Sequence, residues 1–401
     1  MVGVEMKTTF RVVSLFSGCG GLDLGFVREG FEIIWANDIL KDACTTYREN
    51  IGDHILNEDI LKINLEDIPK ADLVIGGPPC QGFSGIGLRD VSDERNALVW
   101  KFFDVIDSVK PNVFIFENVI GLKSAKLPEL DDDGRVKMDE NDKPKKSKEK
   151  VIDSLTKKFR ELGYENIEVW ILNAADYGVP QRRKRVFIVG NKLGMEFGEP
   201  PKTHSETGSE STIKWVSSFD AISDLGSPTE DGKVAYEKDP DCAYQRMMRN
   251  GTKNTSLHII PYASPSEKKI IPYIGRIRAD LPNPKFNYMD VPDKVSTDRI
   301  KGFKKSGGRT TTYGRLQPEK PTYTLNTHFN RINIGANIHY DEDRIITIRE
   351  GLRFQSFPDK FNISSSTKRN YYVQVGNAVP PLLAQVIAKK IRSEILISSS
   401  V

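Results

Sequence analysis

Residues 11–25 read RVVSLFSGCGGLDLG, an apolar run that passes directly into a glycine-rich turn. The run at 11–16 has the length and composition of a buried strand, and the residues after the glycines are spaced as in a helix. A glycine-rich turn at the end of a first strand lets a ligand approach the backbone closely. The third glycine of the dinucleotide-binding pattern is absent, which argues against a pyrophosphate cofactor and a nicotinamide dehydrogenase.

Apolar runs and amphipathic stretches continue to alternate up to about residue 190. In the stretch before 112–116, Leu98, Phe102, Ile106 and Val109 recur at the spacing of one buried helical face. Alternating strands and helices predict an α/β fold with a parallel, doubly wound sheet. The remaining predicted strands lie at 32–36, 71–75, 112–116, 168–172 and 185–190, with a further helix at 151–162.

The sequence changes character beyond residue 190. Residues 191 to about 340 are rich in Pro, Gly, Ser, Thr and Asn and show no regular alternation. This composition predicts a second, smaller, loop-rich domain. A length of 401 residues also exceeds what one core usually organises. We therefore expect a first domain formed by 1–190 plus 366–401 and a second domain formed by 191–365.

The composition, with 38% hydrophobic and 28% charged residues, excludes a disordered, collagen-like or disulfide-stapled chain. The net charge of +3 is too balanced to identify a polyanion-binding protein by itself. No apolar run reaches the roughly 20 residues of a membrane span, and the first residues do not resemble an export signal, so we expect a cytoplasmic protein. The cysteines are too far apart to indicate a disulfide framework or a metal site; they are Cys19, Cys44, Cys80 and Cys242.

A charged segment interrupts the alternating region. Residues 131–150 read DDDGRVKMDENDKPKKSKEK and hold almost no apolar residue that could join a core. We interpret 124–150 as a solvated surface insertion, because mixed blocks of charge are usually solvated. Contact between its lysines and nucleic acid is the alternative interpretation.

A thiol and a carboxylate follow neighbouring strands. Cys80 lies in GGPPCQGFS at 76–84, and Glu117 comes directly after the strand at 112–116. Both are therefore expected at the carboxyl edge of the sheet, where α/β proteins bind ligands. An isolated cysteine is more often a small packed residue, but a neighbouring carboxylate favours a nucleophile. The cations of QRRKR at 181–185 could hold an anion or a carbonyl oxygen at the same edge.

Eight short features follow one another along most of the chain. They are FSGCGG at 16–21, Asp38, Asp59-Ile60, GGPPCQGFS at 76–84, Glu117-Asn118-Val119, QRRKR at 181–185, RIITIREGLRFQSFPDKF at 344–361 and QVGNAVPP at 374–381. In this order they resemble the DNA (cytosine-5)-methyltransferase family. The resemblance implies a Rossmann-like, S-adenosylmethionine-dependent methyltransferase sheet with a target recognition domain at 191–365. It also implies methyl transfer to carbon 5 of a cytosine within a specific short sequence of double-stranded DNA.

The resemblance assigns the catalytic residues. By this similarity Cys80 attacks carbon 6 of a cytosine that has been flipped out of the duplex, which activates carbon 5. Glu117 bonds the protonated ring nitrogen 3 and the exocyclic amine. Arg183 and Arg185 help to orient the base carbonyl, Glu117 and a nearby phosphate. Loss of the carbon 5 proton and elimination of Cys80 then release 5-methylcytosine.

The resemblance also assigns a site for S-adenosylmethionine. The spacing supports one residue independently, because Asp38 follows the second strand about 20 residues after the glycine turn, where an acid can accept hydrogen bonds from ribose hydroxyls. Two residues come from the far end of the chain, so the last helix is expected to fold back onto the first domain. The predicted cofactor-binding residues are Phe16, Gly18, Gly20, Asp38, Ile39, Asp59, Ile60, Pro78, Leu98, Asn377 and Ala378.

The predicted partner is double-stranded DNA, bound by a monomer. The resemblance implies either the modification partner of a restriction endonuclease that acts on the same sequence or a solitary bacterial or viral methylase, and the sequence does not distinguish the two. An RNA cytosine-5 methyltransferase on the same scaffold is the alternative, but the long variable region favours duplex DNA. A catalytically silent DNA-binding protein is disfavoured, because Cys80 and Glu117 are both present. Candidate base-reading residues are Arg246, Arg249, Asn250, Lys253 and those of GRTTTYGR at 308–315.

Overall fold

A computed structural model describes residues 9–79, 94–129, 131, 137–141, 145–277 and 279–398. The chain forms two compact units. The first contains Met1–Asn173, Lys184–Pro201 and Ala384–Val401, and the second contains Ala174–Arg183 and Lys202–Leu383. Within the described ranges, no helix is both long enough and apolar enough to span a membrane.

A seven-stranded sheet forms the centre of the first unit. Its strands are β1 (Arg11–Leu15), β2 (Glu32–Asp38), β3 (Ile55–Asn57), β4 (Leu73–Gly76), β5 (Val113–Val119), β6 (Asn166–Asn173) and β7 (Lys184–Asn191). They stand in the order β3-β2-β1-β4-β5-β7-β6, and neighbours from β3 to β5 run parallel. Every residue of β4 is buried, as expected for a strand that helices cover on both faces.

The predicted strands are confirmed to within a few residues, but two features of the sheet differ from the prediction. The short strand β3 was not predicted, because three residues carry too little pattern. The prediction of an all-parallel sheet is wrong at β7, which pairs antiparallel with both β5 and β6. Residues 174–183 connect β6 to β7 and hold no helix long enough for a parallel crossover, so the chain reverses.

Four helices alternate with these strands. They are α1 (Gly21–Arg28), α2 (Lys41–Asn50), α3 (Glu94–Val109) and α4 (Val151–Glu161), with 3-10 turns at Ile60–Lys62, Leu65–Asp67 and Ile120–Lys123. The predicted face of α3 is confirmed: Phe102, Ile106 and Val109 are buried in the core and Leu98 is half-buried against it. The apolar periodicity of this helix therefore positions it against the sheet.

The charged insertion forms an antiparallel hairpin of two strands, Lys126–Pro128 and Lys146–Lys150. The sequence did not predict these strands, because lysine-rich segments lack the usual apolar alternation. Leu127 is buried, whereas 146 and 148–150 are exposed. The insertion is thus solvated, as predicted, but regularly folded in its described part.

The second unit consists of short helices and very short strands joined by loops, as predicted for a loop-rich domain. An ionic cluster stabilises it, in which Arg353 bonds Asp224 at 2.8 Å and Asp359 at 2.7 Å, with all three side chains fully buried. The helices are α5 (Ser218–Ile222), α6 (Ala243–Arg249), α7 (Pro265–Ile270), α8 (Asp298–Ser306), α9 (Ile348–Phe354) and α10 (Lys368–Asn377). The paired strands are Gln181–Arg182 with Thr322–Tyr323, His204–Ser205 with Ile213–Lys214, Val234–Ala235 with Asn254–Thr255, and Gly314–Arg315 with Ala336–Ile338. The 3-10 turns are Ala174–Tyr177, Ile271–Tyr273, Tyr288–Asp290 and Ile332–Ile334.

The last helix, α11 (Pro381–Ser398), joins the first unit from Ala384 onward. Its Gln385 Nε2 donates a hydrogen bond of 2.8 Å to Oε1 of Glu29, directly after α1. A Cβ atom on Gly25 of α1 would overlap Ala384, so the two helices pack without a side chain between them at this point. The C-terminal helix therefore completes the first unit.

Candidate active site

The glycine-rich turn after β1 has an uncommon backbone conformation. Phe16, Gly18 and Gly20 have φ angles of 55°, 56° and 86°. A positive φ is strained for phenylalanine, and such strain is typical of functional sites. A Cβ atom on Gly20 would overlap Ile51, whereas one on Gly18 would meet no described heavy atom within 4 Å. Gly20 is thus required for packing, and Gly18 leaves open space beside the backbone.

Asp38, at the end of β2, is bonded to this turn. Its Oδ2 accepts a hydrogen bond of 2.8 Å from the N–H of Gly18, and its Oδ1 accepts one of 2.8 Å from the N–H of Leu40. Burial raises the pKa of Asp38 above its usual value. A carboxylate has further lone pairs for ribose hydroxyls, and the next residue, Ile39, is 64% exposed. The open space at Gly18, the carboxylate of Asp38 and the exposed apolar side chain of Ile39 together fit a nucleoside.

Two asparagines that the sequence analysis missed hold the loops around Asp38. Asn57 Nδ2 donates to the carbonyl oxygens of Asp38 and Ile39 at 3.1 and 3.0 Å. The buried Asn37 donates to the carbonyl oxygens of Leu56 and Glu58, at 3.1 and 2.9 Å. These bonds tie the end of β2 to β3 and to Glu58 directly after it. Their only signal in the sequence is an amide side chain at a strand end.

The other predicted cofactor residues of the first unit occupy different environments. Asp59 caps the turn Ile60–Lys62, since its Oδ1 accepts the N–H of Leu61 at 3.1 Å. Ile60 lies in the core with 3% of its surface exposed, which leaves only its backbone for a ligand. Pro78 is buried and Leu98 is half-buried. The structure thus brings Phe16, Gly18 and Asp38 together most directly.

A buried carboxylate, that of Asp23, is connected to the glycine turn by hydrogen bonds. Asp23 accepts hydrogen bonds from Ser14 Oγ and Tyr47 OH, each 2.7 Å long, and Tyr47 OH lies 3.0 Å from Nε2 of His54. Burial raises the pKa of Asp23 to about 6, against the opposing effect of these hydrogen bonds. Ser14 in turn accepts a bond of 2.9 Å from Ser17 Oγ, inside the turn. Asp23 was not among the predicted residues; its signal in the sequence is a lone acid within an apolar stretch.

Glu117 and Arg185 form an ion pair at the carboxyl end of β5. Arg185 Nε lies 2.9 Å from Oε1 of Glu117, and both side chains are largely buried. Glu117 stands opposite Phe187 in the antiparallel pair of β5 and β7, so Arg185, two residues away, is on the same face. Burial lowers the pKa of Arg185, and the neighbouring Glu117 opposes that shift. The reversed direction of β7 therefore creates a charge-assisted contact that fixes the carboxylate.

The chain that leaves β4 passes directly against Glu117. A Cβ atom on Gly77 would lie 2.6 Å from Oε2 of Glu117. Asn118 Nδ2 donates a hydrogen bond of 3.0 Å to the carbonyl oxygen of Pro78. The predicted nucleophile Cys80 lies outside the described residues. Gly77, three residues before Cys80 in the sequence, thus lies beside Glu117.

Arg183 and the predicted residues Asn377 and Ala378 belong to the second unit. Arg183 is fully buried, and its guanidinium donates to the carbonyl oxygens of Leu325, Gly376 and Ala378 at 2.9, 2.8 and 3.0 Å. Asn377 is exposed and Ala378 half-buried at the end of α10. In the described structure Arg183 therefore holds the backbone around Asn377, a supporting contact that differs from the predicted one with base or phosphate.

Two candidate base-reading residues do not fit that role. Arg249 is buried, with its Nε 2.6 Å from Oδ2 of Asp224. Arg315 is also buried and bonds Oδ1 of Asp343 at 2.6 Å. Both guanidinium groups already have internal partners, so they stabilise the second unit. The exposed candidates are Arg246, Asn250, Lys253, Arg309 and Thr310.

The chain matches a family model over nearly all of its length. The model describes C-5 cytosine-specific DNA methylase and matches residues 10–393. The Type II methyltransferase M.NgoFVII of Neisseria gonorrhoeae is 34% identical over 95% of this chain and 86% of its own. M.AgeI of Thalassovita gelatinovora is 31% identical over 95% of this chain and 99% of its own. M.FnuDI of Fusobacterium nucleatum is 33% identical over 95% of this chain and 94% of its own.

Solved structures share the fold. A prophage-encoded protein of E. coli assigned as a DNA modification methyltransferase superposes with a TM-score of 0.64 at 23% identity, covering 96% of this chain and 99% of its own. The S. pombe Dnmt2 methyltransferase gives a TM-score of 0.54 at 18% identity, covering 98% of this chain and 100% of its own. The seven-stranded sheet with one antiparallel strand is thus the sheet of a methyltransferase fold.

Proposed function

Since the chain belongs to the C-5 cytosine-specific DNA methylase family, we propose that it methylates carbon 5 of a cytosine within a specific short sequence of double-stranded DNA. It is a DNA cytosine-5 methyltransferase, and the proposal concerns its residues, its methyl donor and its target. One observation supports the assignment of the catalytic residues. Glu117 is paired with Arg185 and lies against Gly77, and Gly77 is near the start of the segment that leads to Cys80.

S-adenosylmethionine is the proposed methyl donor, and the glycine turn fits it. Gly18 offers an open backbone position, Asp38 a carboxylate for the ribose hydroxyls, and Ile39 an exposed apolar surface for the adenine. When bound there, the donor supplies an electrophilic methyl group. Phe16, Gly20, Asp59, Ile60, Pro78, Leu98, Asn377 and Ala378 complete the proposed set.

Cys80 is the proposed nucleophile. Carbon 5 of cytosine is a poor nucleophile until a group adds to carbon 6, and a thiolate is suited to that addition. The sulfur of Cys80 forms a bond to carbon 6, and carbon 5 takes the methyl group. The carbon 5 proton then leaves to a base, and the bond between sulfur and carbon 6 breaks. The product is 5-methylcytosine, and the thiolate is restored.

Glu117 stabilises the charge that develops on the ring. Its carboxylate accepts hydrogen bonds from protonated nitrogen 3 and from the exocyclic amine, which favours addition at carbon 6. Arg185 keeps that carboxylate in place at 2.9 Å. The proposed role of Arg183 is to support the segment with Asn377, through its three bonds to backbone carbonyls.

The target cytosine must leave the base stack, because carbon 6 is not accessible inside a duplex; unstacking costs a few kcal/mol. We assign target recognition to the second unit, whose exposed Arg246, Asn250 and Lys253 are candidates for contact with base edges. Because its relatives are named Type II methyltransferases, we propose that the protein acts alongside a restriction endonuclease of the same specificity. We also propose that it is a monomer and that it acts in the cytoplasm.

Methyl transfer from labelled S-adenosylmethionine to duplex DNA and to transfer RNA tests this function. We expect label in duplex DNA, and bisulfite sequencing of the product should place the methylated cytosines in one short motif. Cys80→Ser should abolish transfer, whereas Cys242→Ser, which changes a half-buried cysteine of the second unit, should retain it. Label in RNA alone would contradict the substrate, and transfer by Cys80→Ser would contradict the nucleophile.

A further inference from the structure

The hairpin of the charged insertion presents lysines on one face. Lys126 stands opposite Lys150, and Pro128 stands opposite Lys146. The register shifts between these two pairs, but paired residues still share a face of an antiparallel ladder. Lys126, Lys146 and Lys150 therefore lie on one face, and Lys148 is an exposed residue of the irregular stretch between Lys146 and Lys150. These four residues are the lysine face.

The positive charge of this face is not compensated within the described part of the chain. No carboxylate there lies within ion-pair distance of any of the four lysines. Glu149, the acid of the same strand, accepts a hydrogen bond of 2.5 Å from Ser154 Oγ in α4. Like charges placed opposite each other destabilise a strand pair. A bound anion would remove that repulsion.

The hairpin is anchored at the edge of the sheet that carries Glu117. Only the turn Ile120–Lys123 and two further residues separate the end of β5 from Lys126. The N–H of Ala125 donates to the carbonyl oxygen of Gly121 at 3.1 Å, and the N–H of Val151 donates to that of Ala125 at 3.0 Å. The return strand continues into α4, which is packed in the core. The lysine face thus has a fixed root beside the carboxyl end of β5.

We propose that the lysine face binds the phosphate backbone of duplex DNA beside the target cytosine. The proposal rests on the proposed function, because that function places duplex DNA at the carboxyl edge of the sheet. Lysine binds phosphate as a point charge and reads no sequence. The hairpin therefore adds affinity without specificity.

The variant K146Q/K148Q/K150Q tests this contact. These side chains are exposed, so their substitution leaves the core intact. We expect the slope of log affinity for duplex DNA against log salt to fall by roughly one for each lysine. The dissociation constant should rise at least about tenfold at low salt, while kcat at saturating DNA stays unchanged. K146R/K148R/K150R should restore the slope of the unaltered protein.

The matched control is K110Q/K157Q/K389Q, which removes the same charge from exposed positions elsewhere in the first unit. Its slope should equal that of the unaltered protein. An unchanged slope in the hairpin variant, or an equal fall in both variants, would overturn the proposal. If the unaltered protein methylates duplex DNA while the hairpin variant binds it normally, only this inference fails. If the unaltered protein methylates no DNA at all, the proposed function fails instead.

Discussion

The Nε atom of Arg185 lies 2.9 Å from Oε1 of Glu117, and the two residues come from adjacent strands that run in opposite directions. The largely buried carboxylate therefore has a fixed cation on one side and the backbone of Gly77 on the other. In the proposed mechanism this geometry holds Glu117 in the position from which it bonds the cytosine ring. Its parts can be tested one at a time.

Arg185→Met should remove the cation and leave Glu117 poorly compensated. Breaking a buried ion pair in this way typically costs about 3 kcal/mol of unfolding free energy. We also expect kcat to fall about 100-fold, because the carboxylate loses its orientation. Urea unfolding and steady-state methyl transfer at saturating DNA measure the two effects. Lys184→Met, which changes an exposed neighbour, is the control, and a normal kcat in Arg185→Met would contradict the assigned role.

Gly77→Ala should displace the carboxylate without breaking the fold. The added methyl group would lie 2.6 Å from Oε2 of Glu117, so the side chain must move away from its position beside Arg185. We expect kcat to fall at least about tenfold with a stability change below about 1 kcal/mol. Gly302→Ala is the control, since a Cβ atom there meets no heavy atom of the described residues within 4 Å. Equal kcat values in the two variants would show that this close approach has no catalytic consequence.

The α/β part of the fold could be predicted from the sequence to a large extent. Buried strands such as β4 and β5 are apolar runs, and the periodic face of α3 is visible without a structure. The direction of β7 could not be predicted, because an apolar run has the same pattern in a parallel and an antiparallel strand. The contact between Arg185 and Glu117 depends on that direction.

The candidate site was predictable only in its residue types. Arg183 and Arg185 are cations of one motif and look equivalent in the sequence, yet one bonds backbone carbonyls and the other a carboxylate. The role of Asp23 could not be predicted, because an acid in an apolar stretch resembles any surface residue until its burial is known. The positive charge of the insertion was visible, but its arrangement on one face depends on strand register.

Asp38→Ala should weaken the binding of the methyl donor. The change removes the proposed acceptor for ribose hydroxyls and the acceptor of the Gly18 N–H. Loss of a hydrogen bond to a charged group costs about 1.5 to 3 kcal/mol, which corresponds to about a 10- to 150-fold rise in dissociation constant. Calorimetric titration with S-adenosylhomocysteine measures it. Asp67→Ala, at an exposed acid, should bind normally, and unaltered binding by Asp38→Ala would exclude Asp38 from the site.

Asp23 should make stability depend on pH. Its pKa rises from 3.8 to about 6 on folding, so its contribution to stability is fully present below about pH 4 and is lost as the pH rises through about 6. The difference corresponds to about 3 kcal/mol. Asp23→Asn cannot ionise, so its unfolding free energy relative to the unaltered protein should rise by about that amount between pH 4 and pH 7. A relative stability that does not vary with pH, measured by urea unfolding, would contradict the raised pKa.

Covalent capture of the enzyme on DNA tests the central claim most directly. With 5-fluorocytosine at the methylated position of a duplex, the carbon 5 fluorine cannot leave as a cation, so elimination of the enzyme is blocked. Intact-mass analysis after incubation with S-adenosylmethionine should show the protein joined to one DNA strand plus one methyl group. The adduct should form with Cys242→Ser and be absent with Cys80→Ser. An adduct with Cys80→Ser, or none with a protein that still methylates ordinary duplex DNA, would contradict the account.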